Sequence, residues 1–572
     1  MANIKIIRNG LFFDGTGAPG KKTDVVIKDG KVDQIGPASA IEGAQEIEAE
    51  GCWVTPGFLD IHTHYDAEVE VMPGLEESVR HGVTTVVFGN CSLSSAVGTQ
   101  DDILNLFSRV ENMPMDILQE WIDNKITWKT TAEYYEHLDK LPVGPNISSF
   151  IGHSNIRIAV MGLNRSLTVA KANQEEIKGM QRIVDEAMEA GYLGLSIDML
   201  PFHRMAKGEF KGVSVPSQQA HPREYKQLAK VVRQYNRVLQ ATPNAMDRTS
   251  VIHLLGMTSG WFRKPLKTTV VAALDTKSDQ KVHWLATTIA AFTNSVLRGN
   301  MKWQALAEPF LNFADGPITP VLEEFPSAVQ AIGATVEERK AMFADPKFRA
   351  WFRKDWEAKG EAVFHRNLDD MWILKSPEAD QIGKSIEQIA KEVGKEPIEM
   401  FMDLIASYDQ DFRWKSEVAN HRPKQRLRLL ASKQTIPGFN DSGAHNVNMA
   451  FQDGALQMLK QVQANPEVIP LEKAIYRLTK LPAEWLGLKA GTLNVGDRAD
   501  AVVIDPSKLQ TNLSAPIEDY DERLGGAYRM VKRSDGVVKN VLVGGEEVFT
   551  EGKFAKDLGN RKYGKLLRST HR

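Results

Sequence analysis

The sequence predicts an α/β fold, a (β/α)8 barrel beside a small β-domain assembled from both chain ends. Three observations carry this. β-like segments alternate with helical ones through the middle of the chain, short turn-broken strands crowd both ends, and an apolar strand finishes in the paired histidines His62 and His64. With 572 residues, 42% of them hydrophobic, the chain has material for a large core.

Residues 4–7, 11–13, 25–28, 31–35 and 46–49 read as strands, with Asn9-Gly10 and Asp29-Gly30 as hairpin signals. The pattern returns at 501–504, 537–543 and 547–549, where Gly544-Gly545 marks a turn. The two ends are expected to share one sheet. Residues 1–55 then form the N-terminal part of the β-domain, 56–480 the barrel with helical insertions, and 481–572 the C-terminal part and tail. Counting the strand before His62, the segments 84–88, 147–151, 193–197, 238–241, 282–286, 302–307 and 435–439 make about eight parallel strands, whose carboxyl ends would carry the chemistry. The charged helical stretches 335–359 and 386–408 read as insertions or outer helices forming part of a lid, and the basic run 562–572 as a solvated tail.

Composition excludes several roles. Seventy basic against 73 acidic residues leave a net charge of -3, so no global field recruits nucleic acid or an anionic membrane. Small-molecule chemistry is favoured. Two cysteines, Cys52 and Cys91, exclude a disulfide framework and suit the cytoplasm. The first residues alternate like a strand and lack the apolar stretch of a signal peptide, and no later run has the length of a transmembrane helix.

His62 and His64 stand at i and i+2 of a strand end, so their side chains share a face and can reach one ion. Cys91, in Gly89-Asn90-Cys91-Ser92 after the strand 84–88, puts a thiol at the barrel mouth, where it is either a metal ligand or a buried free cysteine; Cys52 reads as core. Asp441, in Gly438-Phe439-Asn440-Asp441-Ser442-Gly443, follows the last strand and reads as a helix N-cap or as a carboxylate that shuttles a proton beside a metal. His153 and His203 also follow strands and can stabilise an oxyanion or serve as structural hydrogen-bonders, with His283, His365 and His421 as weaker candidates.

Together these motifs resemble the amidohydrolase superfamily, and within it the N-acyl-D-amino-acid deacylase (D-aminoacylase) family. The resemblance runs nearly end to end, through Ile7-Arg8-Asn9-Gly10, Asp14-Gly15-Thr16-Gly17, His62/His64, Gly89-Asn90-Cys91, Gly152-His153-Ser154, Leu195-Ser196, Asp441-Ser442-Gly443-Ala444-His445 and Gly496-Asp497-Arg498-Ala499-Asp500. It implies a TIM-like metal-dependent hydrolase barrel with a composite β-sandwich, cleaving amide or cyclic amide bonds by metal-activated water. It also implies His62, His64 and Cys91 as ligands and Asp441 as the acid that contacts metal and acts as general base.

The family pattern places histidines after the fifth and sixth strands, whereas the counterparts here read Leu239-Gln240-Ala241-Thr242-Pro243-Asn244 and Val282-His283-Trp284-Leu285-Ala286, with no histidine at either strand end. One ion, zinc or another divalent metal, is therefore expected on His62, His64 and Asp441, with Cys91 as a further ligand. Asp441 would move the proton, and His203 or His153 would support the oxyanion. Arg157 reads as pairing an internal acid before a substrate carboxylate, and Trp261, Trp303 and Trp372 as core before pocket. The expected function is hydrolysis of an N-acyl-D-amino acid or related N-acyl amide. A cyclic or specialised amide hydrolase and a non-catalytic binding protein of the same fold are the alternatives. The expected partner is a small-molecule amide, with neither nucleic acid nor membrane; homo-oligomerisation stays open.

Overall fold

A computed structural model describes residues 3–110, 112–244, 247–358 and 362–571. Both chain ends enter one sheet. Ile4–Phe12 pairs antiparallel with Lys21–Lys28 and parallel with Trp53–Pro56. Trp53–Pro56 in turn pairs with Ala501–Ile504, which carries Val538–Val543 and Glu546–Thr550 outward. Strand alternation explains the joint, because Ile7, Val25, Val54, Val503 and Leu542 turn into a common apolar cluster. Asp29-Gly30 and Gly544-Gly545 turn hairpins as expected. Asn9-Gly10 does not: it lies inside Ile4–Phe12, where the pairing register shifts, and Asn9 takes a φ of 59°. The same left-handed backbone serves a bulge as well as a turn.

The central strands pair in series, all parallel. Phe58–Asp60 lies beside Val83–Phe88, which lies beside Asn146–Ser149; Ile151–Gly152 continues to Gly194–Asp198, Val238–Thr242, Lys267–Ala273, Asn300–Ala305 and Thr435–Pro437. Phe439–Ser442 then pairs with His62–Thr63, beside the strand that began the series. The pairings thus return to their start. Residues 282–286, expected as a strand, lie instead in helix Val282–Ser295, and Lys267–Ala273 holds that place in the series. A short apolar run is ambiguous by periodicity alone, whereas Thr268, Thr269, Val270 and Val271 are the β-branched residues a pleated surface favours.

Between Asn300–Ala305 and Thr435–Pro437 the chain builds an insertion with its own core of Phe343, Phe352, Phe401 and Trp414. An antiparallel sheet, Phe310–Asp315, Arg413–Ala419 and Trp372–Lys375, carries it. The stretch 335–359 holds helices Val336–Ala344 and Pro346–Trp356, and 386–408 holds Ile386–Val393 and Pro397–Tyr408. Capping boxes at Thr335/Glu338 and Ser385/Gln388 start two of them.

The C-terminal run is not solvated as expected. Ile147 N donates to Lys565 O and Leu567 N to Ile147 O, Ser569 N reaches Gly191 O, and Leu566 is buried. Its backbone adds hydrogen bonds to the edge of the central strands, and Tyr563 and Leu566 join the main core, which outweighs the solvation of its basic side chains.

Candidate metal centre

His62 and His64 end the first central strand, fully enclosed, with ring centroids 5.4 Å apart. Cys91 enters from the second. Gly89 makes that turn at φ 75°, where a Cβ would stand 2.2 Å from Phe150 O. Cys91 and Ser92 follow with φ of 50° and 68°, an unfavourable backbone for non-glycine residues that its surroundings must hold. Gln240 Oε1 accepts from Cys91 N at 2.9 Å, while Ser196 Oγ accepts from Ser92 N at 3.1 Å and donates to Gly89 O at 2.6 Å. The result brings ligand atoms of His62, His64 and Cys91 within 4.8 Å of one another, with Cys91 Sγ 3.3 Å from His62 Nε2.

Asp441 closes the group from the last strand. Its Oδ1 lies 3.6 Å from His62 Nε2 and 3.5 Å from His64 Nε2. It too has a left-handed backbone, at φ 52°, between Ser442, which donates to Asp60 Oδ2 at 3.1 Å, and the strand pair to His62–Thr63. Gly443 is required here because a Cβ would meet His64 O at 2.8 Å.

Burial sets the charges. It lowers the pKa of His62 to about 3, opposed by the hydrogen bond that His62 donates to Gln304, and drives His64 well below its ordinary value. Both rings are therefore neutral, the form in which imidazole binds metal. Burial raises Asp441 to about 7, with the nearby His203 charge pulling it back down. The donor set of two neutral imidazoles, a thiol and a carboxylate fits a zinc-type ion.

Three contributors were missed in the sequence. Gln304, at the end of Asn300–Ala305, places Oε1 2.7 Å from His62 Nδ1 and accepts a hydrogen bond from it, turning Nε2 towards Cys91 and Asp441. Gln240 holds the Cys91 backbone, and Thr242 Oγ1 approaches Cys91 Sγ at 3.5 Å. Their signal was present: each is a polar residue near the carboxyl end of a buried strand. The strand Lys267–Ala273 contains no histidine, cysteine or carboxylate.

His203 reaches the same cavity as the cluster, with Nδ1 2.7 Å from Asp198 Oδ2. Burial opposes its charge, yet the Asp198 carboxylate outweighs this and raises its pKa. His445 stacks on it at 6.3 Å. His153 is not brought there. Its ring nitrogens are taken by Ser217 Oγ at 3.0 Å and Glu224 Oε1 at 2.9 Å, and Arg157 donates to the same Glu224 oxygen. His283 and His421 flank Asp275, and His365 contacts Asp370. Trp303 lines the cavity, Trp261 is exposed, and Trp372 is half-buried in the insertion sheet.

The cavity encloses about 1480 Å³, polar at the cluster and apolar along Val251, Leu255, Leu285, Ile289, Phe310 and Phe364. Part of its wall is the insertion. Glu323 of that insertion accepts from Arg109 at 2.8 Å and pairs with Arg204 at 3.2 Å, tying it to loops at the mouth. No helix among the described residues is long and apolar enough to cross a membrane.

Two family models, both described as Amidohydrolase family, match residues 45–239 and 385–548. An uncharacterised protein of Mycobacterium tuberculosis is 39% identical over 585 residues, covering 99% of this chain and 95% of its own. A D-aminoacylase of Alcaligenes xylosoxydans xylosoxydans is 31% identical over 192 residues, covering 33% of this chain and 37% of its own. Among solved structures, a D-aminoacylase has a TM-score of 0.62 at 20% identity, covering 99% of both chains. The N-acyl-D-glutamate deacylase of Bordetella bronchiseptica, solved with zinc and a phosphonate inhibitor, has a TM-score of 0.63 at 20% identity over 99% of both. The chain belongs to the amidohydrolase superfamily and is a hydrolase of amide carbon–nitrogen bonds.

Proposed function

We propose that this protein is a metal-dependent deacylase that releases the acyl group from an N-acyl-D-amino acid or a closely related N-acyl amide. One observation carries the reading: His62, His64 and Cys91 present their ligand atoms within 4.8 Å, with the Asp441 carboxylate beside both imidazoles. The closed series of parallel strands supports a (β/α)8 barrel of the metal-dependent hydrolase type, with residues 56–480 as barrel and insertion, and 1–55 with 481–572 as the β-sandwich and tail. The neighbouring deacylase structure with zinc supports zinc here, and the polar but non-ligating Gln240 and Thr242 support a single ion.

His62, His64 and Cys91 would hold the ion, with Asp441 at its edge. A bound divalent ion supplies Lewis-acid polarisation of the carbonyl and makes water more acidic. Asp441 is placed to take the proton from attacking water and return it to the departing nitrogen, because its carboxylate stands beside both imidazoles of the cluster. His203, whose pKa the Asp198 carboxylate raises and which lines the same cavity, would stabilise negative charge developing on the carbonyl oxygen. The apolar walls would take the acyl group and exclude water.

Purified protein, analysed for metal and offered N-acyl-D-amino acids, their L enantiomers and cyclic amides, tests this. Release of carboxylate from the D series, abolished by a chelator and restored by zinc, is expected. Turnover of cyclic amides alone, or no turnover by protein carrying a full complement of metal, would overturn it.

A further inference from the structure

Helix Val282–Ser295 packs against the central strands with its large apolar residues outside. The residues it buries are Ala286, Ala290 and Thr293, whereas Trp284, Leu285 and Phe292 are 48 to 62% exposed. Leu285, Ile289, Phe292 and Val296 recur at the i, i+4, i+7 and i+11 spacing that forms one stripe. That stripe is not isolated. Ile252 on helix Arg248–Thr258 lines the cavity mouth together with Trp284 and Leu285, and at the far end Trp261 Nε1 donates to Val296 O, with exposed Phe262 next to it. Seven of the fifteen large hydrophobic side chains exposed among the described residues fall between 252 and 296. Soluble chains rarely leave so much apolar surface together without a partner for it.

Charge around this face is one-sided. Residues 222–303 contain thirteen lysines and arginines against four acids, in a chain whose total is -3. Two of the four acids are paired away, Glu224 with His153 and Arg157 and Asp275 with Arg422, while Asp247 caps helix Arg248–Thr258 and Asp279 accepts from Lys281 N at the cavity mouth. Beside helix Arg248–Thr258 a hollow of about 360 Å³ is lined by Arg223, Lys226, Lys230, Arg233 and Arg263 and by no carboxylate. Arg233 and Arg263 donate to the last carbonyls of that helix, at Met257 and Gly256, which brings the two cations together. The next residues are Arg263's exposed neighbours Phe262 and Trp261, so the basic hollow and the apolar stripe share an edge.

We propose that this face docks on an anionic lipid surface, the apolar stripe entering the acyl boundary and the basic hollow meeting phosphate headgroups. Apolar anchors flanked by lysine and arginine are what such a surface recognises, and each basic residue near it strengthens the attraction. A symmetric dimer through the same face suits the charges less well, since the self-complementary contact would set one basic hollow near its copy. Whole-chain charge predicts no membrane partner, but the near-zero total averages over this local excess. Leu285 and Ile289 belong to both stripe and cavity wall, with Trp284 beside them, so docking would bring the cavity mouth to the lipid level.

Co-sedimentation of the full chain with phosphatidylcholine vesicles, with and without phosphatidylglycerol, tests the proposal. Binding only to the anionic vesicles, weakening as salt rises, is expected. Phe292→Asp, or Lys230→Glu combined with Arg263→Glu, should each weaken it by about tenfold or more. Phe292 and Lys230 are exposed, and circular dichroism with thermal melting confirms that each variant folds. Light scattering on the same samples reads the oligomeric state, and isothermal titration with inorganic phosphate reads the hollow alone. A dimer that Phe292→Asp dissociates, without vesicle binding by the parent, would overturn the proposal in favour of a second copy. Phosphate binding without vesicle binding would overturn it in favour of a soluble anion, and equal binding to neutral vesicles would remove the role given to the basic hollow. None of these outcomes depends on hydrolysis.

Discussion

Gln304 Oε1 lies 2.7 Å from His62 Nδ1, so the side chain that orients the principal histidine comes from a strand 242 residues further along the chain. Gln304→Leu should leave the strand packed but free the His62 ring to rotate. Metal affinity is expected to fall by roughly 10–100-fold, read by competition with a chromogenic chelator, while the melting temperature moves little. An unchanged affinity would show that Cys91 and Asp441 orient the ring without it.

Asp441 stands at the edge of the cluster rather than as its sole support. Asp441→Asn should retain metal through His62, His64 and Cys91 but lower kcat by roughly 10²–10⁴, the usual range for a lost proton shuttle. Metal analysis and steady-state kinetics on one preparation separate the two effects. Near-normal kcat with metal retained would remove the proton role.

Glu323 ties the insertion to the cavity mouth, its carboxylate accepting from Arg109 and ion-paired with Arg204, with little solvent at any of the three. Glu323→Ala leaves two guanidinium groups facing each other without their carboxylate. Denaturant unfolding is expected to show a loss of ~3 kcal/mol, the scale for removing one partner of a buried pair. KM should rise more than kcat falls, because the insertion forms the cavity wall and not the reacting cluster.

His81 gives the fold a pH dependence remote from the cavity. Its Nδ1 lies 2.9 Å from Ser534 Oγ, and burial lowers its pKa to about 4, with Asp453 and Glu77 opposing the shift. The unfolded chain therefore binds more protons than the folded one between about pH 6.5 and 4. Stability from this group is fully present above that window and is lost as pH falls through it, to a depth of order 3 kcal/mol. His81→Gln should flatten the stability curve between those limits, measured by urea unfolding at stepped pH.

Much of the candidate cluster was legible because its signals are local. His62 and His64 share a face by strand periodicity, and Cys91 and Asp441 each follow a strand within a few residues. Gln304 and Gln240 were less visible, since a glutamine at a strand end has no ligand character of its own and matters only through what stands opposite. His153 misled for the converse reason. It follows a strand as a site residue would, but the helix His153–Met161 that it begins turns it to Glu224 and Ser217.

The sequence by itself determined the parallel β/α order, the union of the two ends in one sheet, and the shared face of His62 and His64. Each follows from turn chemistry or from the period of apolar residues, which act over neighbouring positions. Only the tertiary structure decided that Lys267–Ala273 and not residues 282–286 enters the strand series, that the C-terminal run docks on Ile147, and that helix Val282–Ser295 buries its alanines and leaves Trp284 and Phe292 outside. Those choices depend on which partner covers each face, a property of strand pairing and packing across hundreds of residues that no local pattern contains.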